Sequence, residues 1–224
     1  MAFGTLKGTL TGNTTNIASS NPITGSVVVA VGDLVYVLSS QQTALTSTTV
    51  SDNLGNTYTA LNAGTDDSAI TGRAYYSRVT VAGTLTSVAV VATASTLNWS
   101  GVAAVIEGPF VASPLDANPA NAVGDAVTTF TCPATGTLAQ ADEVVMCWGA
   151  GGTGAWTATS PNILAVENNT SFARSRVGYQ VVSATTSISP EFTGASTPDY
   201  VLGTSSFKKE VTVVVGFSYG IIIG

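Results

Sequence analysis

The sequence predicts an all-β protein, folded as a jelly-roll-like antiparallel β-sandwich. Its apolar residues come in short β-branched runs, and no window of 11 or more residues carries the i, i+3, i+4, i+7 stripe of an amphipathic helix. Charged residues, which include the helix-favouring Glu, Lys and Arg, make up only 9% of the 224 residues. Gly, Asn, Asp, Ser and Pro separate the apolar runs, as turns between strands require.

The runs recur along both halves of the chain. The first half contains "SVVVAV" (26–31), "DLVYVL" (33–38), "TSVAVVAT" (86–93) and "GVAAVIE" (101–107). The second half contains "AVTTFT" (126–131), "EVVMCW" (143–148), "GYQVVS" (178–183), "YVLGTSSF" (200–207) and "VTVVVGFSY" (211–219). Uninterrupted apolar runs such as "DLVYVL" predict strands that are covered on both faces.

One hairpin is written in "TTVSDNLGNTYTAL", where Asp52 to Gly55 separate two Thr-rich strands. Asp or Asn begins such a turn, and Gly55 supplies the positive φ that closes it. A calcium loop is the alternative use of Asp52, Asn53 and Asn56, although an EF-hand spaces its oxygen ligands differently. Asp66–Asp67 is predicted to be a polar loop tip, with a cation site as the alternative.

Segments of the first half are weakly similar in sequence to segments of the second half, and a Pro- and Asn-rich stretch at 108–125 separates the two halves. The matching segments are 32–40 with 141–149, 74–90 with 177–189, and 102–108 with 201–207. We therefore expect an N-terminal arm over 1–24 and one sandwich domain over 25–224. Its halves span about 25–117 and 118–224. Each half offers too few strands to bury both of its faces, which favours one shared sandwich over two independent domains.

The stretch "EVVMCWGAGGTGAW" places Gly149, Gly151 and Gly154 at the spacing of a dinucleotide-binding fingerprint. That fingerprint requires a helix after the glycines and an acidic residue about 20 positions further on. The next residues, "TATSPNILAV", include Pro161 and show no helical periodicity. We predict no cofactor here, only a flexible loop flanked by Trp148 and Trp156.

The chain contains no histidine, which removes Ser-His-Asp and Cys-His triads and the usual zinc sites. A carboxylate-only glycosidase is the remaining alternative, since it needs only two acids about 5–10 Å apart. No acidic residue lies in a sequence setting that predicts a raised pKa, and Cys147 has no basic neighbour. We therefore predict no catalytic, cofactor-binding or metal-binding residue and no enzymatic activity.

Charge and hydropathy limit the classes of binding partner and the cellular compartment that we expect for this chain. The net charge is −6 with only seven basic residues, which argues against nucleic acid. The C-terminal apolar stretch is too short and too broken to span a membrane. The N-terminus carries no apolar core of a signal peptide, so we expect synthesis in a reducing cytoplasm. Cys132 and Cys147 are then expected to be thiols, with a disulfide as the alternative.

The segments "GDLVYVLSS", "VSDNLGNTYTAL", "AYYSRVTVAGTLTSVAVV" and "SPLDA" give the chain a resemblance to a family of β-sandwich modules. Such modules occur in tailed-phage virion proteins and in bacterial surface or extracellular proteins. The resemblance covers about residues 25–117 and the second half only loosely. It departs from the family at Glu107-Gly108-Pro109-Phe110, where the family often has Glu-Tyr-Ser-Gly, and it carries over no catalytic residue.

The resemblance implies a non-enzymatic protein of the virion, a capsid decoration or cement protein or a head-fibre protein. Its expected partners are the major capsid protein, other virion proteins and further copies of itself as a homo-oligomer. The alternative is a tail-fibre or bacterial surface adhesin module that binds host glycans.

Four aromatic residues are candidate contacts with a partner or a glycan. Phe3 lies in the expected arm, and Phe217 and Tyr219 lie in the apolar C-terminal segment. Trp156 lies in the glycine-rich loop, where an exposed indole can stack on a sugar ring. The alternatives are that Trp156 packs inside the protein and that both chain ends complete the sandwich.

Overall fold

The computed structural model describes residues 2–42, 49–66, 70–92, 97–125, 127–151, 154–168, 173–197 and 199–211. These residues form antiparallel strands and no helix, so none of them forms a helix that could cross a bilayer. The strands of the first half are β1 (Leu6–Thr14), β2 (Ser20–Val29), β3 (Leu34–Gln42), β4 (Thr49–Asp52), β5 (Thr59–Asp66), β6 (Ile70–Arg78), β7 (Gly83–Val91) and β8 (Trp99–Ile106). Those that follow are β9 (Phe110–Ala117), β10 (Ala122–Gly124), β11 (Val127–Thr131), β12 (Glu143–Gly151), β13 (Trp156–Ala158), β14 (Ile163–Asn168), β15 (Arg174–Val182), β16 (Glu191–Thr197) and β17 (Tyr200–Lys209). The predicted all-β antiparallel sandwich is confirmed, whereas its jelly-roll detail stays a prediction.

The first eight strands form one sheet in the order β4-β7-β2-β1-β8-β3-β6-β5. This sheet folds over itself, because Val35 and Val37 of β3 share a core cluster with Leu85 and Val88 of β7. The expected arm over 1–24 is therefore wrong: β1 lies inside the sheet, between β2 and β8. It pairs with β8 along its length and with β2 at Leu10 and Thr11, which ties the N-terminus into the fold.

The second half splits the same arrangement into two sheets. One has the order β10-β17-β12-β15-β14, with β9 also paired to β17, and the other has the order β11-β16-β13. Phe130 of β11 and Phe192 of β16 pack against Cys147 and Leu202 of the larger sheet. The small sheet thus covers one face of the larger one.

The two halves are copies of one strand topology. Strands β10 to β17 correspond in order to β1 to β8. Thus β12 lies between β15 and β17, as β3 lies between β6 and β8. Likewise β16 lies between β11 and β13, as β7 lies between β2 and β4. Two of the three pairs of similar segments fall on equivalent strands: 32–40 and 141–149 on β3 and β12, and 102–108 and 201–207 on β8 and β17. In the third pair, 74–90 spans β6 and most of β7, whereas 177–189 covers β15 and ends before β16. The strand topology thus repeats between the halves, and the predicted segment matches agree with it in part. The copies differ in that β1 pairs with β2, whereas no pairing joins β10 to β11 in the described part of the chain.

The copies, which we call the first and second modules, face each other through equivalent sheets. Strand β8 packs on β15 and β14, just as β17 packs on β6 and β5, with β3 against β12 at the centre. These reciprocal contacts give the chain a pseudo-two-fold relation like that of an isologous dimer. Tyr36 and Ser205 hydrogen-bond across the central core, with 3.0 Å between their oxygens, and Ser175 donates to Ser40 over 2.8 Å.

The result is four layers of strands rather than one shared double layer. Each module has its own core between two layers, and a third core lies between the modules. The expected sharing of a single sandwich, with a boundary near 117, is corrected accordingly. The first module ends with β8 at Ile106, because β9 already pairs with β17 of the second. Strands β3 and β12 are buried on both faces, which explains their uninterrupted apolar runs.

Candidate functional site

The turn in "VSDNLGNTY" is fastened by the carboxylate of Asp52. Its Oδ1 accepts the backbone N–H groups of Leu54 (2.9 Å) and Asn56 (3.0 Å), and its Oδ2 accepts the Tyr58 hydroxyl at 3.0 Å. Burial beside this carboxylate raises the pKa of Tyr58, so the phenol stays a neutral donor. Gly55 has φ +81°, as the turn requires. The predicted turn is confirmed, but the predicted hairpin is wrong: β4 pairs with β7 and β5 pairs with β6, at opposite edges of the sheet. The Asp52 oxygens accept hydrogen bonds from backbone and side-chain donors of the turn.

The two asparagines of this motif extend the fastening to neighbouring strands. Asn56 Oδ1 accepts the N–H of Thr80 at 2.9 Å, in the connection between β6 and β7. Asn53 Oδ1 accepts the N–H of Thr86, and its Nδ2 donates to the carbonyl of Thr84 at 3.0 Å. Asn53 therefore continues the edge of β7 as a strand residue would. The whole motif is structural in character.

A second fastening point lies where the chain enters β3. The Asp33 carboxylate receives Lys7 Nζ at 2.7 Å, the N–H of Ala30 at 2.8 Å and the N–H of Gly108 at 3.0 Å. Both charged side chains are at least nine-tenths buried. Their pairing joins the first strand, the turn before β3 and the link between the modules.

Trp156 lies inside the second module, which corrects the expectation of an exposed indole. It is 1% exposed, and its ring stacks on Phe130 with the centroids 3.8 Å apart. The Arg176 guanidinium carbon lies 4.0 Å from the indole centroid. Because β13 belongs to the small outer sheet, its inward side chain faces the core rather than solvent. Of the two sequence alternatives for Trp156, packing is the one that the structure supports.

Arg176 is the buried charge of this module. Its Nε donates to Glu167 Oε1 at 2.7 Å and its second terminal nitrogen donates to the carbonyl of Gly154 at 2.6 Å. The backbone N–H of Trp156 donates to the same Glu167 oxygen. Burial lowers the pKa of Arg176 to about 10, against the opposing effect of Glu167, so the group stays charged at neutral pH. The cluster fastens residues 154–156 to β14 and β15.

The glycines of the apparent fingerprint have a packing role. Gly149 and Gly151 belong to β12, and a Cβ on Gly149 would overlap the Trp156 ring. The expectation of a flexible loop at these two positions is therefore wrong. Gly154 has φ +97° and begins the return into β13, so a strand stands where a nucleotide fingerprint needs a helix.

Three carboxylates from distant parts of the chain meet between the modules. Oxygens of Asp66, Asp125 and Asp199 lie within 4.8 Å of one another, at the ends of β5, β10 and β17. Tyr200 N–H donates to Asp66 Oδ2 at 3.2 Å. Burial raises the pKa of Tyr200, and the carboxylates of Asp125 and Asp66 add to this. Hard oxygen donors suit Ca²⁺ or Mg²⁺, so these are the described residues best suited to holding a cation.

Glu143 is a fully buried acid at the start of β12. Burial raises its pKa, opposed by a hydrogen bond from Ser206, and the neighbouring Asp116 raises it further. Asp116 is itself held by the N–H of Ala139 at 2.9 Å. The sequence predicted no acid with a raised pKa, and Glu143 shows that this prediction was wrong. The strand that begins at Glu143 was predicted, but the burial of the Glu143 side chain was not.

Cys132 and Cys147 are free thiols in the core of the second module. They hydrogen-bond with each other, and burial raises the pKa of Cys132. A raised pKa lowers the thiolate fraction and hence the reactivity toward electrophiles.

The remaining predicted contact residues lie near the chain ends. Phe3 is half-buried, 5.0 Å from the Phe110 ring centroid, and Lys209 Nζ lies 5.2 Å from the Phe3 ring. The N-terminus and the last described strand therefore meet at one corner of the molecule. Phe217 and Tyr219 lie outside the described residues.

A surface hollow of about 390 Å³ opens beside β5 and β6. Its lining includes Thr57, Tyr76, Arg78 and Thr80, a mixture of hydroxyls, one aromatic ring and one guanidinium. Arg78 is held in place by donating to the Phe110 carbonyl at 2.7 Å. Sequence reasoning did not select these residues, because they are brought together by three separate segments.

Comparison of this chain with protein-family models, curated proteins and solved structures finds no match. The resemblance to the β-sandwich family of virion and bacterial surface proteins therefore stays a prediction, based on the sequence segments named above.

Proposed function

We propose that this chain is a non-enzymatic structural protein of a tailed-phage virion, a capsid decoration or cement protein or a head-fibre protein. Its partners are the major capsid protein or other virion proteins, and further copies of itself. One observation supports the proposal most directly: polar side chains hold the turns and strand connections in place by accepting hydrogen bonds from the backbone. Asp52 holds the donors of its own turn, Asn56 joins that turn to Thr80 and Val81, and Asp33 holds donors from three separate segments.

Such fastening produces a rigid body with a weakly charged surface, which is what a repeating shell component requires. Two equivalent modules docked through a continuous apolar core add to that rigidity. With charged residues at 9%, most contacts with neighbours involve little desolvation of charge. The sequence resemblance supplies the virion context.

The proposal is tested by a mass-spectrometric inventory of purified phage particles, with copy numbers. We expect this chain at many copies per particle, in a fixed ratio to the major capsid protein. Its absence from particles, together with recovery on bacterial envelopes, would contradict the proposal.

The hollow beside β5 and β6 favours one second candidate, an adhesin module that binds host glycans. Tyr76 and Arg78 with adjacent hydroxyls are groups that can stack on and hydrogen-bond to a sugar. Glycan-array binding that is lost on Thr57→Arg, which fills the hollow, and kept on Thr186→Arg, an exposed bend position, would support this candidate.

A further inference from the structure

The second module differs from the first in how its two layers are joined. In the first module β1 pairs with β2, so that hydrogen-bonded strands run from one layer into the other without a break. In the second module the small sheet of β11, β16 and β13 shares no strand pairing with the larger sheet among the described residues. Side-chain packing, such as that of Phe130 and Phe192 on Leu202, holds the small sheet in place instead.

The chain contains two cysteines, and they lie on opposite sides of this joint. Cys132 follows the last residue of β11, and Cys147 lies in the middle of β12 in the larger sheet. Each is at most 1% exposed, and the two thiols hydrogen-bond with each other. The backbone holds Cys132 in this position, because its N–H donates to the Pro190 carbonyl at 2.8 Å and its carbonyl accepts the Ser189 hydroxyl at 3.2 Å.

The surroundings of Cys147 leave space for its sulfur to turn. Its partner in register on β15 is Gly178, where a Cβ atom would lie 2.9 Å from the Cys147 sulfur. The absence of that atom leaves the sulfur unconfined on this side. A disulfide needs Cβ atoms about 3.5–4.5 Å apart and a sulfur–sulfur bond of about 2 Å. Two thiols already in contact approach that arrangement by rotation about their Cα–Cβ bonds.

We propose that Cys132 and Cys147 are an oxidisable pair, which forms a disulfide in the folded chain when a low-molecular-weight disulfide such as oxidised glutathione is present. The bond joins the end of β11 to β12 and so links the two layers of the second module covalently. This inference goes beyond the proposed function, since it concerns the chain itself and applies under either candidate function.

The reaction balances as two thiol–disulfide exchanges. The thiolate of Cys132 attacks one sulfur of the reagent, forms a mixed disulfide and displaces one glutathione thiolate. The thiolate of Cys147 then attacks the Cys132 sulfur and displaces the second. The two thiol protons pass to the displaced thiolates, so the protein is oxidised by two electrons and the reagent is reduced by two. Cys132 reacts first because β11 is an edge strand, whose local opening exposes it sooner than Cys147 in the central strand β12.

Burial determines when the pair reacts. It raises the pKa of Cys132, so the thiolate fraction is small while the core is closed. A reducing environment therefore keeps both thiols reduced during synthesis, and the disulfide forms slowly in an oxidising one. Once formed, the bond is shielded from reductants by the same core, because an attacking thiolate must reach one of its sulfurs.

The test uses the full reduced chain, incubated with oxidised glutathione at pH 8 under native conditions. Intact mass spectrometry distinguishes an internal disulfide, which removes two hydrogen atoms, from a glutathione adduct, which adds mass. Peptide mapping identifies the linked cysteines. The controls are Cys132→Ala and Cys147→Ala, each of which leaves one thiol, and circular dichroism verifies that they fold.

We expect the wild type to convert to the 132–147 disulfide without dimers or lasting adducts. Its thermal unfolding midpoint should rise by about 6–12 °C, because the bond closes a loop of about 15 residues in the unfolded chain. The single-cysteine variants should keep the same midpoint with and without the reagent.

Two kinds of result would overturn the inference. The first is folded protein whose thiols stay free although denatured protein reacts, or which collects only glutathione adducts or intermolecular dimers. The second is a 132–147 disulfide that leaves the midpoint unchanged or lowers it, because the bond would then not stabilise the joint between the layers. Neither result depends on whether the chain is found in phage particles.

Discussion

The two modules share one strand topology but stabilise it with different chemistry. The first module fastens its turns with Asn and Asp side chains that accept backbone N–H groups, as Asn53 and Asn56 do. The first module also buries one ion pair, Lys7 with Asp33, but the second module buries more ionisable groups: Arg176 with Glu167, Glu143, and two thiols. Topology is thus conserved between the copies while the interior is not. The difference predicts that pH sensitivity and the largest single-residue losses belong to the second module.

The largest effect is expected from Arg176→Met. The Arg176 side chain is fully buried, and its removal leaves the Glu167 carboxylate uncompensated. Breaking a buried pair in this way costs about 3–5 kcal/mol in the free energy of unfolding. Denaturant unfolding at pH 7 measures it. The control is Lys209→Met, which breaks the exposed pair with Asp142 and should cost less than about 1 kcal/mol. Equal losses in the free energy of unfolding for the two variants would show that the buried pair stabilises the protein no more than the exposed pair does.

In the first module, Asn56→Ala should have an intermediate effect. Two backbone N–H groups, those of Thr80 and Val81, lose their acceptor in a buried setting. We expect a loss of about 2–3 kcal/mol in the same unfolding measurement. Asn62→Ala removes an exposed amide that donates to two carbonyls and should cost about 1 kcal/mol or less. If Asn56→Ala matches Asn62→Ala, the motif does not fasten the module.

The smallest effect, and the one with a pH signature, is expected from Glu143→Gln. The raised pKa of Glu143 means that the folded protein holds a proton that the unfolded chain has released. Stability therefore falls as the pH rises from the ordinary carboxyl pKa through that of folded Glu143. Glu143→Gln should remove this fall. The decrease in the free energy of unfolding from pH 4 to pH 8 should therefore be smaller in Glu143→Gln than in the wild type.

The matched variant is Glu210→Gln, an acid whose side chain is half exposed. It should leave the pH dependence of unfolding as it is in the wild type. A fall in stability that persists in Glu143→Gln would mean that another group carries the pH dependence.

The sequence predicted the strands that are buried on both faces, because β-branched runs such as those of β3 and β12 admit few other structures. It also predicted the repeat, since equivalent strands open with an acid before an apolar run. It did not predict four layers, because an apolar strand face does not reveal what covers it. Strand β1 was missed as well, since "LKGTLTGNT" has few apolar residues and owes its place to pairing with β2 and β8.

The candidate site residues were harder to predict, for a physical reason. Trp156 lies in a strand of three residues, too short for an alternation that would tell inward from outward. Asp125 and Asp199 gave no signal because only the docking of the modules brings them to Asp66. The turn around Asp52 was predicted correctly, since all of its donors lie within six residues of that carboxylate.

The face-to-face docking of two equivalent modules is the claim on which the rest depends, and one measurement tests it most directly. Ser40 of the first module and Ser175 of the second have their hydroxyl oxygens 2.8 Å apart across the central core. The double variant Ser40→Cys/Ser175→Cys should form a disulfide on air oxidation of the folded protein, identified by peptide mapping. The pair Ser40→Cys/Ser205→Cys should not, because Ser205 contacts Tyr36 instead. A disulfide in the second pair but not in the first would contradict the docking.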